Sequence, residues 1–505
     1  MKLKMTALVL ALLSILPLFT ACADSDENET TDARESVTYE IDADLISDID
    51  KYVDDLAEFW YDEYAGMTFT WCGNQGQYPI RAEETGDIQN DALYHRQREI
   101  EEKFGIVWNN LVTVHDGITA NYSVYDYVMQ DVMSGNGAFD ACYGTTIQVV
   151  QPLLAQNTMY DLSSYEIIDF DKEWWPRGIE DNYSINGAMY FLNGPIVTTH
   201  YEDTYCFAFN KQIVEDYHIE NLYDLVYNDQ WTFDKMFEIA SVIPTNENGS
   251  GTYRFGNPSG LAAMYAHGIT LTSFDETGSP YIAPDVTEEL YDLSVKFSSI
   301  YGDNSISANV KTRTVSKWET VEQKYGRNSF NDMFDKGEFL FYNLTTGDAA
   351  ELRWFDVVFG ILPMPKGDEN QENYISSTDN WGTVNVFVPK SAKNHQLSDL
   401  MIEVLAALGR KHIKPAYYDK ILKSRTMYDH DSLGMVDIIF DSKVYDLIDF
   451  IAINGGIYQE TDFVKVVIAA MQENNSSFVS KYKIQAKIAN RSIKELIEYI
   501  EKDNG

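Results

Sequence analysis

Apolar residues recur at helical spacing from Ile41 to Tyr61, where Leu45, Ile49, Val53 and Leu56 form a single stripe, so a helix with one buried face is expected there. Met67–Cys72 carries Thr, Phe and Trp, which suit a pleated, half-buried surface, and it reads as a first strand. Gly73-Asn74-Gln75-Gly76 breaks that strand into a loop. Asp87–Phe104 is amphipathic again, with Leu93, Ile100 and Phe104 on one side and Gly105 as a natural stop. Ile106–Val114 reads as a second strand and Tyr125–Met133 as a helix closed by Ser134-Gly135. Phe139–Tyr143 is a third strand, running into the loop Gly144-Thr145-Thr146. Strands and helices alternating in this way predict an α/β lobe with a mainly parallel sheet.

The alternation resumes from about residue 200 to 343. A strand is expected at Cys206–Phe209, helices at Leu222–Val226 and Phe233–Ile243, and a longer helix near Thr287–Tyr301. Glu338–Tyr342, Val358–Leu362 and Val384–Val388 read as further strands, and the C-terminal third is helical, ending with Phe478–Ile500. A chain of 505 residues is too long for one ordinary domain and suits two large lobes. In parallel sheets the ligand-facing loops leave the C-terminal ends of the strands. Here those are the loops at 73–77 and 143–146.

The first segment has a different character. Met1-Lys2-Leu3-Lys4 is a short basic start, Met5–Ala21 is mostly apolar, and Thr20 and Ala21 are small residues before Cys22. Residues 1–21 therefore read as a secretory signal peptide rather than a membrane span. Leu18-Phe19-Thr20-Ala21-Cys22 resembles a bacterial lipobox, which implies lipidation of Cys22, although Phe19 stands where Leu is usual. Residues 22–38 are rich in Asp, Glu, Asn and Thr and read as a flexible tether. Two acyl chains on Cys22 would give durable anchoring where one would not.

Composition narrows the function classes. Hydrophobic residues at 45% and charged residues at 23% support a packed core. A net charge of −41 repels phosphate backbones and argues against nucleic-acid binding. It also disfavours direct docking on anionic lipid. The 34 Tyr and 9 Trp would suit stacking on a flat ligand, although most must belong to the core. With Cys22 set aside, Cys72, Cys142 and Cys206 are too few for a complete disulfide framework. No Cys-x-x-Cys pair, His-Glu-x-x-His string, Gly-x-Ser-x-Gly elbow or phosphate-cradling Gly-Lys-Ser/Thr loop occurs. Carboxylates are so numerous that a glycosidase-like pair carries no information without geometry. The stretch 245–251 looks superficially like a calcium loop, but its residues and length are wrong, and a plain turn is expected.

Several strings, in order, resemble the extracellular solute-binding proteins of family 1, the sugar-binding lipoproteins of ABC importers. Phe209-Asn210-Lys211 followed by Val214-Glu215-Asp216-Tyr217 is similar to a strand-and-helix pattern of that family, and Gln230-Trp231-Thr232-Phe233-Asp234-Lys235 to one of its helix starts, with Thr232 as the N-cap. Phe334–Tyr342 and Phe359–Lys366, the latter reading Phe-Gly-Ile-Leu-Pro-Met-Pro-Lys, resemble two later signatures, and Gly251–Gly256 resembles a loop ending in Tyr-Gly. The resemblance implies a two-lobe, type II periplasmic-binding-protein-like α/β fold with the ligand cleft between lobes joined by crossing strands. It implies lobe 1 at 39–199 plus about 344–410, and lobe 2 at 200–343 plus about 411–505. It further implies a monomer on the outer face of a Gram-positive membrane, delivering a small-molecule ligand, a saccharide by class, to ABC permease subunits, with no cofactor, metal or catalytic residue.

Saccharide recognition needs aromatic faces for the ring and paired donors and acceptors for the hydroxyls. The candidates at strand ends are Asn74, Gln75, Tyr143 and Thr145 in the first lobe. Glu202 and Asp203 stand at the first crossing, and Asn343 and Thr345 near the second. Asp379 and Trp381 precede the Val384 strand, with Trp381 the favoured stacking platform and Tyr265 a lesser one. Trp174-Trp175-Pro176 and Trp231 read as structural packing. The competing reading is a secreted carbohydrate-active enzyme, a glycoside hydrolase or lyase; peptides, alditols and uronate fragments also stay open as ligands.

Overall fold

The first apolar stripe forms helix α1, Ala43–Tyr64, which buries Ile49, Val53, Ala57 and Tyr64. Asp42 caps it, its Oδ1 accepting from the backbone N–H of Asp44 at 3.0 Å and of Leu45 at 3.2 Å. These features come from a computed structural model that describes residues 42–74, 83–113, 117–246, 251–308, 329–379, 382–422, 430–451, 463–472 and 476–503. The expected signal peptide, tether and Cys22 lie outside the described residues, as do Gln75 and Trp381.

Strand β1 (Thr68–Asn74) is followed by α2 (Ile88–Phe104), β2 (Val107–Thr113), α3 (Gly117–Ser134) and β3 (Ala141–Thr145). β1 runs two residues past its expected end because Gly73 lies flat under the Tyr143 ring. A Cβ on Gly73 would stand 2.1 Å from Tyr143 Cζ. α2 is capped by Asp87, whose Oδ1 accepts from Asn90 N–H at 2.9 Å. It ends at Gly105 in the left-handed conformation, φ 66°.

The chain then builds β4 (Tyr205–Asn210), α4 (Lys211–Asp216), α5 (Phe233–Ala240), β5 (Tyr253–Gly256), β6 (Ser307–Ala308), β7 (Phe339–Thr345), α6 (Thr346–Glu351) and β8 (Phe359–Leu362). Asn210 caps α4 and Thr232 caps α5, the latter accepting from Lys235 N–H at 3.2 Å. β9 (Ser376–Ser377), β10 (Val384–Phe387), the long helix α7 (His395–Leu422) and β11 (Lys443–Val444) follow. Gly251–Gly256, expected as a loop, instead supplies β5. It pairs in parallel with both β7 and β6.

Two sheets organise the molecule. The first has the order β10-β3-β1-β2, parallel except for β10, which runs antiparallel to β3 with Val384 opposite Thr145. The second has the order β8-β4-β7-β5-β6. The chain leaves the first sheet, builds the second and returns with β10, the two-lobe α/β arrangement expected. Thr38–Gly505 form one compact unit. The expected division at 344 does not follow the sheets. β8, placed by it in the first lobe, pairs antiparallel with β4 in the second. α7 also runs unbroken through 410 and 411, and Lys411 Nζ reaches back to Asp50 at 2.5 Å and Glu99 at 2.9 Å on α1 and α2.

α7 packs on α2 and α1 and carries two buried carboxylates that hold the stretch 166–175. Asp399 accepts from the backbone N–H groups of Glu166, Ile167 and Ile168, each at 2.9 Å. Glu403 accepts from the indole N–H of Trp174 at 3.0 Å and of Trp175 at 2.9 Å. The tryptophan pair is therefore a structural fastening. Trp231 is likewise fully buried, its Nε1 donating to Pro363 O at 3.0 Å.

Cys72, Cys142 and Cys206 are free and buried, with Cys72 facing Cys142 across β1 and β3. Burial pushes the Cys142 and Cys206 thiols up, away from the reactive thiolate. A water-soluble thiol reagent is expected to leave all three unmodified in the native protein and to label them after denaturation. Rapid native labelling, read by intact mass, would contradict this packing.

Candidate functional site

The chain's outward path into the second sheet and its return path to the first run side by side. Thr199–Glu202 forms one helical turn, and Asp203 and Thr204 then lead into β4. Alongside, Asp379 N–H donates to Asp203 O at 2.7 Å, and Thr378 bridges Thr204 in antiparallel fashion. Asp379 O accepts from Thr383 N–H at 3.1 Å and from its hydroxyl at 2.7 Å, just before β10. Thr346 ties the second sheet to the same place, its N–H donating to Thr204 O at 2.9 Å and its hydroxyl to Tyr201 O at 2.6 Å.

Three of the expected residues, Glu202, Asp203 and Asp379, therefore meet where the chain crosses. Gln89 at the start of α2 donates through Nε2 to Glu202 Oε1 at 2.7 Å, and Thr198 Oγ1 to Glu202 Oε2 at 3.3 Å. Gly347 and Gly382 border the cluster. A Cβ on Gly347 would stand 3.0 Å from Glu202 O, and one on Gly382 would stand 3.2 Å from Asp203 Oδ1. Loss of water raises the Asp203 carboxyl well above its ordinary range, and the charges of Asp379 and Glu202 raise it further. Asp348 is also raised, chiefly by burial. The Lys443 ammonium donates to His200 O and acts on the Asp203 carboxyl. It is lowered to about 7, first by loss of water, while Asp203 pulls it the other way. His200 is held well below its ordinary value by burial, then by Lys443, Arg410 and Lys414. Its Nδ1 lies 2.9 Å from Asn193 Oδ1, and Asn193 Nδ2 donates to Val384 O at 2.7 Å, so the imidazole braces β10.

The other expected residues divide. Asn74, Tyr143 and Thr145 lie together at the C-terminal ends of β1 and β3, all buried, with the Tyr143 hydroxyl donating to Asn74 O at 3.2 Å. Asn343 is a correction: Nδ2 donates to Cys206 O at 2.9 Å and Oδ1 accepts from Ser259 N–H at 2.8 Å, so both ends of the side chain serve the backbone. Tyr265 is a second correction. Its ring is enclosed in the core and its hydroxyl donates to Asp449 Oδ2 at 2.8 Å, leaving no face for stacking. Thr345 caps α6 in a capping box with Asp348, its Oγ1 accepting from Asp348 N–H at 3.2 Å. Thr345→Ala is expected to cost about 1 kcal/mol in urea unfolding; an unchanged midpoint would contradict the cap's role.

Sequence reasoning missed Gln89, Tyr205, Asp348 and Lys443. Tyr205, at the first position of β4, feels Asp379, Asp348 and Asp203 together, with burial the larger cause of its raised hydroxyl. No local signal marks Lys443, which arrives from a stretch far along the chain. Among the described residues no group of three or more His, Cys, Asp or Glu is arranged to hold a metal ion, and no helix is long and apolar enough to cross a membrane. The arrangement can accept hydrogen bonds from a polyhydroxylated ligand through several carboxylate oxygens.

No protein-family model matches the sequence, and no curated protein matches it. Solved structures do share the fold. A sugar transporter protein of Rhizobium etli in an open conformation is similar over 85% of this chain and 99% of its own, with 13% identity and a TM-score of 0.52. The galacto-N-biose/lacto-N-biose I-binding protein of an ABC transporter from Bifidobacterium longum, in complex with lacto-N-biose, is similar over 86% of this chain and 97% of its own, with 11% identity and a TM-score of 0.50. At these identities the likeness defines the class by fold: two-lobe α/β proteins of the periplasmic-binding-protein type.

Proposed function

We propose that this chain is the extracellular substrate-binding component of an ABC importer, capturing a sugar or oligosaccharide between its lobes and handing it unaltered to permease subunits. The observation that carries this reading is the crossing itself, where the paths between the two sheets converge on Glu202, Asp203 and Asp379. The binding of lacto-N-biose by a protein of the same fold supports a saccharide as the ligand. In this reading the lobes follow the sheets, with β10 and α7 joining the first, and β8 staying with the second. Closure about the crossing segments is favoured only by what the ligand gains in the closed state. Acylation of Cys22 at the end of a signal peptide would hold the protein on the extracellular face of the cell membrane, with residues 22–38 as its tether.

A melting-temperature screen against a saccharide library tests this. A ligand at 100 times its dissociation constant adds about 2.7 kcal/mol of stability. At least one saccharide is expected to raise Tm. Stabilisation by peptides with none by any saccharide would refute the reading.

A further inference from the structure

A hollow of about 370 Å³ lies at the far edge of the first sheet, between the C-terminal half of α2 and the start of β2. It stands apart from the crossing. β2 is the edge strand opposite β10. Gln97 also follows Gln89 by eight residues, about 12 Å along the axis of α2. Four polar atoms of the lining residues, Gln97 Oε1, Arg98 Nε, Trp108 Nε1 and Asn110 Oδ1, are shut from water and have no hydrogen-bond partner. Native interiors leave few such atoms, and here four gather around one hollow. Their donor and acceptor roles are fixed by their neighbours. Gln97, only 6% exposed, donates through Nε2 to Glu101 Oε1 at 2.8 Å; a carboxylate only accepts, so the unpartnered end of its amide is the oxygen. The indole and guanidinium nitrogens can only donate. Arg98 Nη2 donates to the same Glu101 Oε1 at 2.5 Å, so its charge is met within the hollow. Phe69 meets the Trp108 ring edge-on at 5.5 Å between centroids.

We propose that this hollow is a second binding site, for a neutral hydroxyl-bearing unit such as a single sugar ring, separate from capture between the lobes. Two unpartnered donors and two unpartnered acceptors need a guest that offers both kinds of bond in one place. A hydroxyl donates and accepts at a single oxygen, so two neighbouring hydroxyls can meet all four atoms. A trans amide turns its N–H and C=O to opposite sides and meets fewer of them. Ile106 and Val107 supply apolar wall for the C–H face of a ring. Arg98 is the movable wall. Its side chain is 41% exposed, held by Glu101 and by its place over the Tyr94 ring at 5.4 Å. The guest enters as Arg98 turns outward. This site does not depend on what the crossing binds.

The test follows the indole N–H resonance of Trp108 in the full chain carrying isotopically labelled tryptophan, assigned by its loss in Trp108→Phe. The probes are glucose, galactose, N-acetylglucosamine and cellobiose, with N-acetylglycinamide as the amide control. A saturable shift of that resonance with at least one saccharide is expected. Asn110→Ala, or Arg98→Ala should that variant not fold, is expected to weaken this binding about tenfold. Tight capture between the lobes, read by calorimetric titration, is expected to stay unchanged in the same variant. A saturable shift from the amide alone, or from no probe, overturns the second site and leaves the interlobe reading standing. A shift that the variant does not weaken, or that is lost together with tight capture, assigns the effect to the crossing and overturns the second site as well.

Discussion

Replacing Glu403 with alanine is expected to lower stability by roughly 3 to 5 kcal/mol, because two indole donors and a backbone N–H lose their acceptor in a dry interior. The side chain is fully buried and accepts from Trp174 and Trp175, with Asp169 N–H as a third donor at 3.3 Å. Burial raises its carboxyl to about 7 against an ordinary 4.5, even though those hydrogen bonds pull it down. The folded state therefore holds the proton more tightly than the unfolded chain. The protonated clasp contributes fully below about pH 4.5, and its advantage is lost as pH rises to about 7. Glu403→Gln has no proton to lose. Its stability deficit against the wild type is expected to shrink by up to about 3 kcal/mol between pH 5 and pH 8. Urea unfolding of both proteins across that range checks the sign; a deficit that grows with pH would show that the carboxylate is the favoured form.

Gly409→Ala is expected to destabilise by at least about 2 kcal/mol, against the sign that helix propensity predicts. Gly409 lies inside α7, where alanine ordinarily gains about 1 kcal/mol over glycine. Here a Cβ would stand 1.9 Å from Pro195 O and 3.2 Å from Arg96 Nη1. Arg96 is fully buried, and its Nη1 donates to Ile196 O at 2.9 Å, Leu405 O at 3.2 Å and Pro195 O at 3.3 Å. The overlap is with backbone on one side and a pinned guanidinium on the other, so neither can yield cheaply. A stabilised Gly409→Ala protein would mean that α7 does not press on the 195–196 segment.

The contrast between these two sites and the ligand candidates shows what the sequence makes legible. The stripe of α1, the cap Thr232 and the strands β1–β4, β7, β8 and β10 follow from local periodicity and end chemistry, which act within a few residues, whereas β5 and β6 carry no such signal. β8 and α7 do not follow the expected division at 344 and 410, because they choose their neighbours by tertiary packing and nothing local distinguishes one sheet from the other. The same limit governs the site. Glu202, Asp203 and Asp379 meet at the crossing because polar residues just before a strand sit where strand-end loops converge. Asn343 and Tyr265 look equally polar or aromatic in sequence, yet their polar atoms serve Cys206, Ser259 and Asp449. Gln89 and Lys443 join the crossing only through folding and carry no signal of their own.

The reading as a receptor depends on reversible capture. Equilibrium dialysis of the full chain against the saccharide that most raises its Tm, followed by mass spectrometry of the ligand released on denaturation, measures that directly. Saturable retention of one ligand per chain, recovered at its original mass, is the predicted result. Ligand recovered as fragments or with a changed mass, or no saturable retention, would contradict it.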